Sequence, residues 1–275
     1  MNSQRLLIKL VALACLGTVS AAAMADAQEE VDKQISNMIS GAVSARVGSA
    51  LEAPATATKL NNGGYGGITN VQVKGSGFSN VSSNAYLAGV DHNFTKDLIG
   101  GAALDYYTLP GGSITGINPY VAYVLNDNLF LVGKLGYASG NIGSNSDMNT
   151  SAASVSINAL HKAGNLLVKG GLEFGGVRSE TNANGMRSTS RMSTTLAEGE
   201  LGYFFMPDLK GFVGLTLNTT NQANSYSADM AIGLEKEIGK DAAIAFKYGT
   251  QVDSDQPSGT NIKVNVYSIS ARFRF

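Results

Sequence analysis

From about residue 65 to the C terminus, apolar and polar residues alternate with a period of two, the mark of strands with unlike faces. Leu129, Leu131, Gly133, Leu135 and Tyr137 share one side of such a segment, opposite Phe130, Val132, Lys134 and Gly136. Ala153, Val155 and Ile157 oppose Ser154, Ser156 and Asn158, and Leu166, Val168, Leu172 and Phe174 oppose Lys169 and Glu173. Met230, Ile232 and Leu234 oppose Asp229 and Glu235, and Ile244, Phe246 and Tyr248 oppose Lys247. Four segments carry two charges each: Lys169/Glu173, Glu198/Glu200, Asp229/Glu235 and Arg272/Arg274. In every one both charges fall on the same face, which random placement gives about one time in sixteen.

One face is thus free of charge, and the other, made of Gly, Ala, Ser and charged residues, is no close-packed core either. A soluble sandwich turns its apolar face inward and its polar face to water. Here the apolar face is rimmed at strand ends by Tyr106, Tyr123, Tyr137, Tyr203, Tyr226, Phe273 and Phe275. Tyrosine suits a boundary between hydrocarbon and water, because its ring is apolar and its hydroxyl is not. A lipid-facing band with aromatic girdles around a polar lumen describes an outer-membrane β-barrel.

Short polar turns at 95–97, 126–128, 162–165, 206–208 and 239–241 alternate with longer Ser, Asn, Gly and Thr-rich segments at about 79–84, 108–115, 139–149, 178–191, 218–224 and 253–261. This spacing predicts a 12-stranded antiparallel barrel over residues 65–275, or ten strands if the first, near Gly66–Phe78, is not one. Both termini lie on the short-turn, periplasmic side.

The segment before the barrel has a different grammar. Arg5 and Lys9 precede an apolar stretch from Leu10 to Val19, and Ala23-Met24-Ala25 follows. That is the layout of a cleaved signal peptide, residues 1–25, directing export to the Gram-negative outer membrane. Its apolar run is shorter than the ~20 residues that span a bilayer as a helix. Val31, Ile35, Met38, Ile39, Ala42, Val43, Val47 and Leu51 form a helical stripe within Glu29–Ala53, with Glu29, Glu30 and Asp32 at its start and Pro54 after it. Residues 26–64 therefore read as an N-terminal α-helix and an Ala/Thr/Asn/Gly linker. The helix is a candidate luminal plug, with a periplasmic helix or a short coiled coil as alternatives.

The chain closes on Tyr267, Ile269, Ala271, Phe273 and Phe275, apolar or aromatic at every odd position and ending in Phe. This resembles the C-terminal strand recognised by the barrel-assembly machinery, which joins an unpaired strand edge to its own. Together with the helix, the twelve strands and phrases such as Tyr86-Leu87-Ala88-Gly89-Val90-Asp91, it resembles the translocator domain of autotransporters. The resemblance implies a helix in the lumen and a role in surface display or translocation. Only about forty residues separate the signal from the first strand, too few for the exported domain that such proteins carry. Asn61-Asn62 lies beyond the helix and reads as linker, not as a self-cleavage site.

Composition narrows the chemistry. With 20 basic and 21 acidic residues the net charge is −1, which excludes a nucleic-acid partner. The single cysteine, Cys15, lies in the signal, so disulfides and thiol chemistry are excluded from the mature chain. His92 and His161 lie near strand ends without a nucleophile at a useful spacing, and no phosphate loop or metal spacing occurs. The chain is expected to be no enzyme and to need no cofactor or metal. Its expected partners are outer-membrane lipid and, during biogenesis, the assembly machinery; it is expected to be a monomer. Asp91, Asp105, Lys134, Lys169, Glu173, Glu198, Glu200, Asp229, Glu235, Lys247, Arg272 and Arg274 are expected to face the lumen. Mixed signs suit ion pairs and contacts to a plug better than a selective ladder for anionic sugars. The alternative functions are a small porin-like channel and a surface adhesin acting through 139–149 and 178–191. Deleting Phe275 is expected to leave the protein in the periplasm, as cell fractionation would show.

Overall fold

The computed structural model describes residues 62–275 apart from 76–77, 110–111, 127, 144–145, 184, 221–225, 240 and 254–261. The signal peptide, the helix over Glu29–Ala53 and the linker up to Asn61 lie outside the described residues. Twelve strands follow in order: β1 Gly63–Gly75, β2 Phe78–Asn93, β3 Leu98–Leu109, β4 Gly112–Asn126, β5 Leu129–Gly143, β6 Ser146–Ala163, β7 Leu166–Ala183, β8 Met186–Met206, β9 Leu209–Thr220, β10 Tyr226–Ile238, β11 Ala242–Asp253 and β12 Ile262–Arg274. Each pairs antiparallel with its sequence neighbours, and β1 pairs with β12 to close the barrel. The first strand begins at Gly63, inside the stretch whose composition reads as linker.

The closing seam runs from Gly63 opposite Arg274 to Gly75 opposite Ile262, and one further bond, Phe275 N–H to the Asn62 carbonyl at 3.0 Å, extends it to the rim. Closure answers a strict demand. Backbone groups inside hydrocarbon have no water to bond, so an open sheet edge is untenable there.

The outer face is apolar. Leu104, Val121, Leu135, Val155, Leu172, Val213, Ile232 and Phe246 point outward and are exposed. Aromatic side chains edge this band: Tyr123, Tyr203, Phe205 and Phe273 near the short turns, and Tyr86, Tyr106, Tyr137 and Phe174 toward the opposite end. His92 and His161 also point outward near the short-turn rim, His92 edge-on to Phe94 at 5.0 Å between ring centroids.

The short turns are built from their own residues. Gly164 at φ 60° and Gly239 at φ 69° occupy the left-handed region that tight turns need and side chains disfavour. In the β8–β9 turn, Asp208 pairs with Lys236 of β10; that hydrogen bond holds its carboxyl below the usual carboxylate range.

The other rim departs from the sequence reading. Residues 139–149 and 178–191 are expected as loose loops, but nearly all of both stretches is strand: β5 and β6 run to Gly143 and from Ser146, β7 and β8 to Ala183 and from Met186. The β7–β8 hairpin closes at its tip through Gly185, at φ 79°. Along these strand ends the outward positions are polar and mostly exposed, and inward ones such as Thr150, Ser179 and Thr181 are polar too although buried, so the polar–apolar contrast between the faces is lost and Ser, Thr and Asn imitate a loop.

Inside, large rings lie flat on the wall over glycines. Tyr65 covers Gly89, Tyr120 covers Gly101 and Phe212 covers Gly233, so that a Cβ at Gly101 would meet Tyr120 Cε1 at 2.6 Å. Without these glycines the rings would be driven into the lumen or off their rotamers. Gly101→Ala is expected to destabilise the barrel by about 1–3 kcal/mol in urea titrations of the detergent-solubilised protein, the usual cost of overpacking.

Candidate functional site: the barrel lumen

Strand parity and pairing place every candidate charge. Lys134 points inward from β5, Lys169 and Glu173 from β7, Glu198 and Glu200 from β8. Asp229 and Glu235 do so from β10, Lys247 from β11, and Arg272 and Arg274 from β12. Asp91 and Asp105 line the same cavity from β2 and β3. Tyr267, Ile269 and Phe273 of the terminal strand project outward and exposed, Ala271 outward and half-buried; Phe275 follows them, 79 % exposed.

Several of these charges join into a chain along one wall. Lys169 Nζ lies 2.7 Å from Glu200 Oε1, Lys210 Nζ lies 3.9 Å from the same carboxylate and 3.5 Å from Glu235, and Arg272 lies 2.8 Å from Glu235 and 3.7 Å from Glu237. The chain passes from β7 across β8, β9 and β10 to β12, close to the short-turn end. Lys210, absent from the sequence list, sits at its centre with its side chain 3 % exposed. Its nearness to a turn hid it. The signal was nonetheless present, because Val213, Leu215 and Leu217 take the outer face and leave even positions of β9 inside.

A second group lies on the neighbouring wall. Lys134 and Glu173 form a buried ion pair at 2.5 Å, each side chain 4 % exposed. Tyr120 donates its hydroxyl proton to Asp91, and Asn118 donates its amide to Asp105. Glu198 packs over Gly171, where a Cβ would meet its Oε1 at 3.0 Å. Asp229 and Lys247 face the more open part of the lumen.

The lumen is not uniformly small and polar, as the strand pattern suggests it to be. Ile99, Tyr120, Ala122, Phe130 and Val132 form a buried apolar cluster on β3, β4 and β5, joined by Val124 and by Leu160 of β6. All seven point inward. Reading each register by its apolar side hides such a cluster, because the face with fewer apolar residues is taken as polar throughout. At the short-turn end the lumen therefore has one apolar wall, β3 to β6, and one charged wall, β7 to β12. Among the described residues no three His, Cys, Asp or Glu side chains are grouped to hold a metal.

Closed barrels of known structure share this architecture. The translocator domain of the autotransporter NalP from Neisseria meningitidis superposes with a TM-score of 0.57 at 12 % identity, over 88 % of this chain and 98 % of that one. This chain has the fold of an autotransporter translocator barrel. The β domain of the Bordetella autotransporter BrkA gives a TM-score of 0.55 at 18 % identity, over 78 % and 100 % of the two chains. A Pseudomonas aeruginosa FadL homologue gives 0.53 at 9 % identity, over 82 % and 94 %. No family model matches the chain, and no curated protein matches it in sequence. The likeness is one of fold, that of an outer-membrane β-barrel.

The buried ion pair gives a sharp test of the lumen's electrostatics. Lys134→Met leaves Glu173 without its cation in a site where the pair is almost wholly desolvated, and a loss of about 3–5 kcal/mol in unfolding free energy is expected. Lys134→Met combined with Glu173→Leu is expected to recover most of that loss. Urea unfolding of the three proteins in the same detergent measures both effects.

Proposed function

We propose that this protein is a non-catalytic outer-membrane translocator whose own N-terminal helix occupies the lumen and whose first mature residues reach the cell surface. It works as a monomer in lipid, delivered by a cleaved signal peptide and inserted by the barrel-assembly machinery through Tyr267, Ile269, Ala271, Phe273 and Phe275.

The observation that carries this reading is the division of the lumen into two unlike walls. An amphipathic helix needs an apolar surface for its stripe and a polar one for its other face. Val31, Ile35, Met38, Ile39 and Val43 supply the stripe, and Ile99, Phe130, Val132 and Leu160 offer the surface. Lys33, Asn37, Ser40 and Ser44, away from the stripe, suit the wall that carries Lys169, Glu200, Lys210 and Glu235. Length and position agree. A helix of about 23 residues reaches roughly 34 Å, enough to thread the bilayer. Asn62, the first described residue, is bonded to Phe275 and Asn93 at the short-turn rim, so the barrel begins at that mouth of its lumen.

Single-channel conductance in planar bilayers tests the proposal. Removing residues 26–60 is expected to raise conductance several-fold, and so is Val132→Asp, which sets a charge in the apolar wall. Equal conductance of all three proteins, each shown folded by its heat-modifiable migration, returns the protein to the class of open porin-like channels.

A further inference from the structure

We propose that the outer wall of β5 to β8 is a binding site for a phosphorylated glycolipid of the outer leaflet, a lipid A, with an acyl chain in a groove of the lipid-facing surface and a phosphate on Arg178 and Arg191. This inference rests on the outer-membrane placement and not on the luminal helix.

The groove has a volume of about 670 Å³. Its floor is the outward face of three small residues, Gly133, Ala153 and Gly176, and its walls include Leu135, Val155 and Phe174. Register makes it continuous: Gly133 pairs with Val155, Leu135 with Ala153, and Ala153 with Gly176. A dent of this kind in a wall bathed by hydrocarbon holds an alkyl chain, the only apolar ligand the surroundings supply along its whole length.

What singles out one lipid is the charge at the groove's upper end. The next outward residue of β7 after Gly176 is Arg178. Counted from Leu166 at the periplasmic turn, Phe174 is the ninth residue of the strand and Arg178 the thirteenth. A strand crosses the hydrocarbon in ~9–11 residues, so Phe174 lies at its outer edge and Arg178 in the headgroup layer. Arg178 stands directly opposite Arg191 of β8, both on the outer face. Like charges so placed repel, and an anion between them removes the penalty. A phosphate accepts two parallel bonds from each guanidinium, which gives geometry as well as charge.

Acidic groups near the pair are outnumbered by arginines. Glu180 accepts from Arg178 at 2.6 Å and also pairs with Arg187, so one carboxylate is shared by two arginines. Asp147, opposite Asn182, lies one outward position farther from the membrane than Glu180. Three arginines face two carboxylates, and the surplus is positive at the level of lipid phosphate. The tall strands β6, β7 and β8 extend beyond this level, where sugar groups of a glycolipid would lie alongside their Ser and Thr residues.

Native mass spectrometry of the protein purified from outer membranes, delipidated and titrated with defined lipids in detergent, decides the matter. Diphosphoryl lipid A is expected to bind with 1:1 stoichiometry, at least about tenfold more tightly than its dephosphorylated form or phosphatidylglycerol. R178Q/R191Q is expected to remove at least that factor while leaving channel conductance unchanged, which separates this site from the lumen. G133L fills the groove without touching any charge, its Cβ meeting only Val121 Cγ1 at 3.9 Å, and is expected to weaken both lipid A forms alike. Equal binding of the dephosphorylated lipid, or unchanged affinity in R178Q/R191Q, overturns the proposal. Phosphatidylglycerol bound as tightly as lipid A, and lost equally in R178Q/R191Q, overturns the assignment to lipid A. Should R178Q/R191Q fail to assemble, undiminished lipid A binding by folded G133L overturns it instead.

Discussion

Inside hydrocarbon the peptide group has only other peptide groups to bond, and the whole molecule follows from that restriction. A sheet that leaves no edge must close, and here β1 and β12 meet along their full described length. Closure brings the two ends of the barrel chain together at one rim, where the Phe275 amide bonds the Asn62 carbonyl. Side chains then have only two destinations, lipid or lumen, and the alternation of the strands distributes them.

The lumen resolves a second conflict. Twelve strands enclose too much space to fill as a core and too little to leave every inward charge in bulk water. The wall answers by pairing charges laterally, strand to strand, in a chain from Lys169 through Glu200, Lys210 and Glu235 to Arg272. Large rings are laid against glycines rather than across the bore, as Tyr120 is on Gly101 and Phe212 on Gly233. Both devices keep the cross-section clear while holding the wall rigid. The apolar cluster around Val132 breaks the pattern on one side only, and an enclosed surface of two unlike halves is what an amphipathic segment fits.

The outer surface is uneven in a related way. Strands β6, β7 and β8 stand far taller than β3 or β9 and carry outward charge above the apolar band. Strands β5, β6 and β7 hold the small residues, Gly133, Ala153 and Gly176, that thin the wall below. Apolar dent and cationic rim therefore lie in line along the membrane normal, an arrangement suited to a molecule with a hydrocarbon end and an anionic end.

A period of two is a local property, so residues such as Leu129 to Tyr137 disclose from sequence that the segment is a strand and which side chains share a face. Turn residues such as Gly164 and Asn165 disclose where it reverses, and the count of strands follows. Register between strands is not local. It depends on how far each strand slides along the next as the sheet closes, and no residue by itself states that the Lys210 ammonium falls between Glu200 and Glu235, or that Arg178 faces Arg191. The rule of alternation also needs unlike solvents on the two faces. Above the membrane the outer face is polar and the buried inner positions, Ser179 and Thr181, are polar as well, so 178–191 reads as a loop and folds as a hairpin; inside the lumen a cluster such as Ile99, Phe130 and Val132 reads as noise until closure gathers it. Sequence alone determined strand identity and face across most of the barrel and narrowed the strand number to twelve or ten, because these rest on neighbours in the chain, while tertiary structure decided for twelve and set every pairing across strands, because these rest on the closure of the whole sheet.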